Sequence, residues 1–410
     1  MRVLNNPKIN MVRAGGVFAA ISVRFRSLPA GIWALGFVSM MMDISSELVH
    51  SLLPVFMTSV LGIGMVAIGV VEGVAEATAA ISKVFSGAIS DHLKKRKLLA
   101  VLGYGLGALS KPIFPLANSI GWVFCARFID RIGKGIRGAP RDALVADITP
   151  PQLRGAAYGL RQSLDSIGAF IGPLLAVLLM DMFANNVKSV LWVSVVPALI
   201  CLGILIAAVH EPVHAEEGTS NSLKLSIRAY AKFLPVRFWL IIVLGTVVTL
   251  ARFSEAFLIL RAQNAGLAIG YVPLVFIVMN IVYSGVSYPA GIASDRFSAR
   301  TLLIIGLAVL VAADLVLAGA TAPLQVLCGA ALWGLHMGVT QGLLSKLVAD
   351  TAPKELRGTA FGIFNLVCGG ALLLASITAG ALWSAYGPSA TFIAGAAFAG
   401  TAMLGLLIYR

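Results

Sequence analysis

Long apolar runs recur along the whole chain and constrain its fold more than any other feature of the sequence. Examples are Leu98–Leu109, Val187–Val209, Trp239–Leu250, Thr301–Leu317 and Thr391–Ile408. A helix needs about 20 mostly apolar residues to cross a bilayer, and these runs approach or reach that length. Hydrophobic residues make up 59% of the chain and charged residues only 12%. Because the runs are continuous rather than alternating, they predict membrane-spanning helices and argue against a transmembrane β-barrel.

The chain divides into twelve predicted spans, numbered here in chain order. Spans 1 to 6 fall near 30–58, 65–90, 98–117, 120–143, 156–181 and 187–209, and spans 7 to 12 near 237–260, 270–292, 300–319, 323–348, 358–384 and 388–409. The predicted domains are a basic N-terminal tail (1–28), a six-helix bundle (29–210), a polar loop (211–235) and a second six-helix bundle (236–410).

Lysines and arginines collect on one side of these spans. The loops after the even-numbered spans hold Lys94, Lys95, Arg96, Lys97, Arg154, Lys224, Arg228, Lys232, Arg296, Arg300, Lys354 and Arg357. The opposite loops hold little beyond Lys188 and Arg261. By the positive-inside rule, both termini are expected in the cytoplasm, with the chain in a bacterial-type inner membrane. This distribution accounts for the net charge of +13, so no nucleic-acid partner is expected.

Two signals of other chemistry are discounted. The four cysteines, at positions 125, 201, 328 and 368, all fall inside predicted spans and far apart, so neither a disulfide framework nor a zinc site is expected. The pattern Gly103-x-Gly105-x-Gly107 lies within an apolar span with no strand before it, so it is not a nucleotide-binding loop. No cofactor is predicted.

The two halves of the chain repeat each other. Val145–Leu160 and Val348–Ile363 are identical at nine of sixteen positions, at an offset of 203. A second pattern, G-x-x-S-D-[basic]-x-x-x-R, begins at Gly87 and again at Gly291, at an offset of 204.

The duplicated loop pattern, the six-plus-six layout and the polar middle loop resemble the major facilitator superfamily, and the likeness covers essentially the whole chain. It implies an all-α membrane protein with two six-helix bundles related by a pseudo-twofold axis along the membrane normal. It also implies a central cavity formed by spans 1, 4, 7 and 10, and transport by alternating access.

The repeated loops are expected to act as gates when the halves rock. Their residues are Gly87, Asp91, Arg96, Gly291, Asp295 and Arg296. The glycines allow close helix approach, and each aspartate can meet a helix N-terminus or a neighbouring arginine. His92 departs from the family's usual basic residue. The alternative is that these charges only set the topology.

Two further patterns resemble exporters of this family in part. Span 4 contains Arg127-x-x-Asp130-x-x-Gly133, similar to an R-x-x-Q-G-x-G pattern of proton-coupled exporters, with Asp130 and Arg131 departing from it. Span 5 contains Gly168-x-x-x-Gly172-Pro173, similar to the antiporter branch. The resemblance therefore favours export, while the alternative for span 5 is a helix-packing face of small residues.

Ionisable residues inside spans are costly in a membrane and mark candidate functional sites. In span 1, Asp43, Glu47 and His50 share one helical face by their i, i+4, i+7 spacing. The other candidates are Glu72, Glu76, Arg127, Asp130, Arg131, Lys134, Arg161, Asp165, Arg252, Glu255 and His336. These side chains are expected to point inward and to pair with one another, and setting Gly36 against Gly245 suggests an Asp43–Arg252 contact across the pseudo-twofold axis.

Three roles remain open for these charges. Desolvation favours the protonated form of a carboxyl group, which suits Asp43 and Glu47 as proton carriers with Arg127 and Arg131 as their partners; the alternative is a static ion pair. Asp43, Glu47 and His50 also suit a divalent transition metal. The cationic face of span 4 suits an anionic substrate, although Arg137 and Arg141 are interpreted as anchors at the membrane surface.

The sequence thus predicts a monomeric secondary transporter, not an enzyme, whose partners are a small molecule or ion, protons and the lipid bilayer. Proton-coupled export of an organic anion or other small charged compound is favoured. The alternatives are a divalent-metal exporter, a multidrug exporter with a roomy aromatic pocket, and, outside transport, a membrane sensor.

Overall fold

The computed structural model describes residues 28–93, 95–211, 234–340, 342–353 and 356–408, and within these ranges it contains helices and no strands. The predicted N-terminal tail and most of the middle loop lie outside the described residues. Spans 1 to 6 consist of Ala30–Val55 with a π-helical turn at Phe56–Val60, Met65–Leu93, Arg96–Ser110 with Ile113–Leu116, Ile120–Ile148, Arg154–Met182, and Val187–Val193 with Val195–Ala208. Spans 7 to 12 consist of Val236–Leu250 with Ala256–Asn264, Leu274–Arg296, Ala299–Gly319, Pro323–Thr340 with Leu343–Thr351, Arg357–Tyr386, and Pro388–Ile408.

Ten of these described spans are long and apolar enough to cross a membrane. The two exceptions have identifiable causes. Span 4 is 29 residues long but carries more charge than a membrane span usually tolerates. Span 7 is interrupted, since five residues, 251–255, separate Val236–Leu250 from Ala256–Asn264. The remaining predicted spans agree with the structure, with boundaries that differ by a few residues.

Helix packing repeats between the two halves. Within the first half, span 1 packs on spans 5 and 6, span 2 on span 4, and span 3 on spans 4 and 6. Each contact has its counterpart six spans later: 7 with 11 and 12, 8 with 10, and 9 with 10 and 12. Between the halves, span 2 packs on span 11 and span 5 on span 8. The arrangement is therefore two six-helix bundles with pseudo-twofold symmetry.

Small residues allow several of these contacts. A Cβ added at Gly103 of span 3 would lie 2.7 Å from the Arg137 backbone nitrogen of span 4, so this glycine serves helix packing. In span 5, a Cβ at Gly168 would lie 2.6 Å from the Met40 carbonyl, and one at Gly172 would lie 2.9 Å from the Ile44 carbonyl. The packing interpretation of the span 5 glycine pattern is thereby confirmed.

A buried ion pair joins spans 3 and 4. The Lys111 ammonium donates to Asp130 Oδ1 at 2.8 Å and to Ser46 Oγ of span 1 at 3.1 Å. The Lys111 and Asp130 side chains are only 1% and 5% exposed. A charge in such surroundings is tolerated because its partner is present, and removing one partner leaves the other buried and uncompensated.

We expect Lys111→Met to lower the free energy of unfolding by about 3–5 kcal/mol, the usual cost of breaking a buried pair from one side. The double variant Lys111→Met/Asp130→Leu should recover most of that loss, because no unpaired charge remains. Thermal unfolding of the purified protein in detergent measures both, with Lys95→Met, at an exposed loop position, as the control. A double variant no more stable than Lys111→Met would contradict this role for the pair.

Candidate functional site

A charged cavity lies between the two halves. It consists of two adjoining spaces of about 420 and 490 Å³. Residues of both halves line both spaces: Glu47, Glu76, Lys134, Thr249 and Leu372. A solute in this cavity would therefore contact both bundles, which is the arrangement that alternating access requires.

The halves meet at the end of the molecule opposite to residues 30 and 408, called the far end here. Gln263 Nε2 of span 7 donates to Ser59 Oγ at 2.7 Å, and Thr58 Oγ1 donates to Gln263 Oε1 at 3.4 Å. Further along, a Cβ at Gly270 would lie 2.6 Å from Asn185 Oδ1. Another hydrogen bond between the halves joins Asn280 of span 8 to the Ala169 carbonyl in the middle of span 5. The second space lies on the side of the Asn280–Ala169 contact that is away from the far end, with Lys83 and Arg141 in its lining.

A buried ion pair of the first half lies behind the residues that line the cavity. Arg127 donates to both carboxylate oxygens of Glu72, at 3.1 Å to Oε1 and 2.5 Å to Oε2. His50 extends the group, with Nε2 3.9 Å from Glu72 Oε2 and Nδ1 3.6 Å from Glu47 Oε2. A bidentate pair of this kind fixes the geometry of both side chains. His50 thus links the enclosed Glu72 to Glu47, which faces the cavity.

A second pair lies on the cavity wall itself. Arg131 Nη2 is 3.2 Å from Glu76 Oε1, and both residues line the first space. Lys134, one turn further along span 4, lines both spaces and forms no ion pair with another described residue. The predicted inward pairing of span 2 acids with span 4 arginines is therefore present, and it leaves Lys134 as a free positive charge.

Asp43 lines the second space and forms neither an ion pair nor a hydrogen bond with the described residues. The expected Asp43–Arg252 contact is wrong: Arg252 lines the first space, beside Glu255. The alignment behind that expectation used an offset of 209, whereas the repeats give 203 and 204, which would place Arg252 opposite Leu48 or Val49, more than a turn beyond Asp43.

The interruption of span 7 brings Arg252 and Glu255 to the cavity. Residues 251–255 are not helical, and the Ser376 hydroxyl of span 11 accepts a hydrogen bond from the Ser254 backbone N–H at 3.2 Å. Neither Arg252 nor Glu255 forms a side-chain hydrogen bond within the described part of the chain. Interrupted helices at mid-membrane are common binding sites in transporters.

Arg137 and Arg141 do not act as surface anchors, so that interpretation is wrong. The Arg137 guanidinium is stacked 4.8 Å above the Tyr104 ring inside the first bundle. Arg141 Nη1 donates to Ser39 Oγ at 3.2 Å. Both arginines also line the second space. Bending toward these partners keeps the two charges inside the bundle, whereas lipid anchors would extend outward.

Several candidate residues lie away from the cavity surface. Three of them are enclosed between helices: Glu72, Arg127 and Asp130. Arg161 pairs with Asp165 at 2.5 Å, and of these two only Asp165 lines the cavity. His336 was expected at the cavity, but its Nδ1 lies 2.8 Å from the Gly306 carbonyl of span 9 and the side chain is fully buried. The rotation of span 10 presents Trp333 and Met337 to the cavity instead.

The repeated loops are described only in part. Arg96 pairs with Asp147 at the end of span 4, and the Glu211 carboxylate accepts from the backbone N–H groups of Arg96 and Lys97. Arg300, the counterpart of Arg96, donates instead to the Leu407 carbonyl, and Arg296 is exposed. A Cβ at Gly291 would meet open space, so the close approach expected there is absent. The surroundings of Gly87, Asp91 and Asp295 lie outside the described residues.

The sequence did not identify Lys111, Tyr104 or Asp314 as members of this charged interior. Lys111 lies immediately before Pro112, near the predicted end of a span, so its position in the chain gave no sign that it is buried.

The metal hypothesis gains no geometric support, since the described residues contain no group of three or more His, Cys, Asp and Glu side chains that could hold an ion. Of the proposed set, His50 and Glu47 are close, but Asp43 is not part of that contact.

Known proteins resemble this chain over most of its length. The profile of the Major Facilitator Superfamily matches residues 35–279 and 256–410. An uncharacterised MFS-type transporter of Methanocaldococcus jannaschii is 33% identical over 91% of this chain and 93% of its own. An uncharacterised protein of Mycobacterium tuberculosis is 27% identical over 89% and 88%. The multidrug resistance protein MdtH of Yersinia enterocolitica is 28% identical over 38% of each chain.

Solved structures show the same fold at low sequence identity. A mutant of the nucleoside transporter NupG is similar with a TM-score of 0.80 and 12% identity, over 93% of this chain and all of that one. A POT family transporter gives 0.76 and 13%, over 93% and 95%. Together with the matching profile and the repeated six-helix packing, these likenesses place the protein in a family of membrane transporters that are not enzymes: the chain belongs to the major facilitator superfamily.

Proposed function

We propose that this transporter exports a small organic anion, or another small charged compound, in exchange for protons. The observation that carries the proposal is the coexistence, in one cavity, of basic and acidic side chains that form no ion pair with a described residue. Lys134 and Arg252 supply free positive charge for a substrate. Asp43, in the adjoining space, is an unpaired carboxyl group for a proton. The two kinds of group are close enough to sense each other's charge, because the spaces share part of their lining.

In the proposed coupling, the anion and the proton occupy the cavity in turn. While the anion is held at Lys134 and Arg252, Asp43 keeps its charge, and once the anion has left, Asp43 takes up a proton. Because only these two loaded forms change the side to which the cavity opens, the anion leaves as protons enter. Glu47 has a related role, since it lines both spaces and lies 3.6 Å from His50. Through His50, a change of charge at Glu47 would reach the enclosed Glu72–Arg127 pair.

The proposed orientation puts both termini in the cytoplasm of a bacterial-type inner membrane. The distribution of lysine and arginine supports it. The far end would then face outward, and the described state would be the inward-facing one. Export is supported by the span 4 pattern that resembles proton-coupled exporters, and a single chain suffices because residues of one molecule line the cavity on both sides.

Multidrug export is the second candidate. The partial match to the multidrug resistance protein MdtH covers 158 residues, and Phe253 and Trp333 contribute aromatic surface to the first space. A hydrophobic cation would use that surface together with Glu255. Lys83 and Arg137 also line the second space and form no ion pair with a described residue, so basic groups outnumber Asp43 and Glu255 and favour the anion. Transport assays with both substrate types decide between the two candidates.

Asp43→Asn should abolish substrate-driven proton movement, because the amide cannot take up a proton, while Glu47→Gln should weaken it. Proteoliposomes that contain an internal pH dye measure this against panels of organic anions, lipophilic cations and divalent metals. Asp181→Asn, at an exposed acid in the last turn of span 5, is the matched control. Substrate transport with no pH change, equal in all four proteins, would refute proton exchange.

Arg252→Gln should raise the KM for an anionic substrate by roughly 10- to 100-fold, the value of one hydrogen bond to a charged group. Uptake by inside-out vesicles measures the KM. Arg237→Gln, at an exposed position in the first turn of span 7, is the control. If instead the KM for lipophilic cations falls and that for anions is unchanged, the multidrug candidate is favoured.

Joining the halves at the far end should stop transport. In a background without the native cysteines, Thr58→Cys/Gln263→Cys treated with a short bis-maleimide should lose transport, because Thr58 and Gln263 are in contact in this state and would have to separate. Each single cysteine variant treated with the same reagent should stay active. Full activity of the cross-linked protein would mean that the far end does not open.

A further inference from the structure

One buried carboxyl group of the second half neither lines the cavity nor forms an ion pair with a described residue. Asp314, in span 9, is fully buried. Neither of its carboxyl oxygens has a hydrogen-bond partner among the described residues. A charged carboxylate without a partner is very unfavourable in such surroundings, and a protonated carboxyl group is far less so.

The surroundings of Asp314 are apolar on each side. Span 12 contributes Gly395, where a Cβ would lie 2.6 Å from Asp314 Oδ2 and 3.0 Å from Cε1 of Phe253. Pro388–Ile408 contains no titratable residue. On span 10, Cys328 is exposed, and His336 is engaged with the Gly306 carbonyl, two turns before Asp314. On span 7, Arg252 and Glu255 face the cavity, and Arg261 is bound to the carbonyls of Leu317, Ala318 and Ala320.

The internal repeat shows what is missing at this position. At an offset of 203 or 204, Asp314 corresponds to Lys111 or Ser110, and Asp130 corresponds to Trp333 or Gly334. The first half therefore neutralises its buried charge here with the Lys111–Asp130 pair. The second half has an acid, Asp314, where the first half has Lys111 or Ser110, and it has no charged residue at the span 10 position, so a proton is the remaining means of neutralisation.

Phe253 separates Asp314 from the cavity. It belongs to the non-helical stretch 251–255 of span 7 and lines the first space. On its other side it packs near Gly395 and Asp314. Its ring is also 5.5 Å from those of Trp333 and Phe392. A movement of this short stretch would expose Asp314 to the cavity without moving span 9.

We propose that Asp314 is a proton-binding site of the second half, occupied in this state and covered from the cavity by Phe253. Displacement of Phe253 gives the carboxyl group access to water, so the proton can leave or return through the central cavity. The participation of this proton in transport rests on the proton exchange proposed above, whereas its presence on Asp314 does not.

Infrared difference spectroscopy of the purified protein tests the site without any transport assay. The parent protein should show the carbonyl band of a protonated carboxylic acid that Asp314→Asn lacks, and this band should persist at mildly alkaline pH. Asp43→Asn, which alters the unpaired acid of the cavity, should keep it. The absence of a band that depends on Asp314 would overturn the proposal, whatever the outcome for Asp43 in proteoliposomes.

A labelling experiment tests the cover and does not require the Asp314 variant to fold. A hydrophobic carbodiimide adds the O–H of a protonated carboxyl group across one C=N bond, and an oxygen-to-nitrogen acyl shift then leaves the whole reagent attached as an N-acylurea. Peptide mass spectrometry should find this adduct on Asp314 several times more often in Phe253→Ala than in the parent protein, with Phe257→Ala as the aromatic control. Equal labelling of the parent and Phe253→Ala, or none in either, would show that Phe253 is not the cover.

Discussion

The cost of placing charge in a membrane organises the first half of this protein. Glu72 and Arg127 are almost completely enclosed, and each is tolerated because it holds the other through two hydrogen bonds. The Lys111–Asp130 and Glu76–Arg131 pairs follow the same rule at neighbouring positions. These contacts tie spans 2, 3 and 4 into one block. What remains unpaired, such as Asp43 and Lys134, therefore faces the cavity, where water or a substrate can compensate for the charge.

The two halves share a backbone plan and differ in their interior chemistry. The packing of spans 7 to 12 repeats that of spans 1 to 6, yet aromatic rings occupy much of the space that ion pairs fill in the first half. Phe253 contacts Phe257, Trp333 and Phe392 in one cluster. A bundle held together by buried ion pairs thus faces an aromatic bundle with an interrupted helix. Such a difference suits a cycle in which local change is concentrated in span 7.

The fold could be predicted from the sequence because hydropathy and the repeat are strong signals that need no knowledge of neighbours. The inward position of the span 1, 2 and 4 charges followed from the same cost of burial. The partners of those charges were harder to predict, because a pairing depends on helix rotation to within a fraction of a turn. His336 shows this, since it turns toward Gly306 rather than the cavity. The interruption at Ala251–Glu255 contains neither glycine nor proline, so no local signal marked it.

The interruption of span 7 also exposes the ends of two short helices near the cavity. Ala256–Asn264 begins immediately after Glu255, and the first turn of a helix carries partial positive charge from its free backbone N–H groups. Glu255 is the residue before that turn, so the backbone dipole can offset its negative charge although no side chain pairs with it. The Glu255 side chain makes no capping hydrogen bond to this helix, but its negative charge disfavours an incoming anion at the same end. On this side of the cavity, the guanidinium of Arg252 is left as the group available to a negatively charged solute.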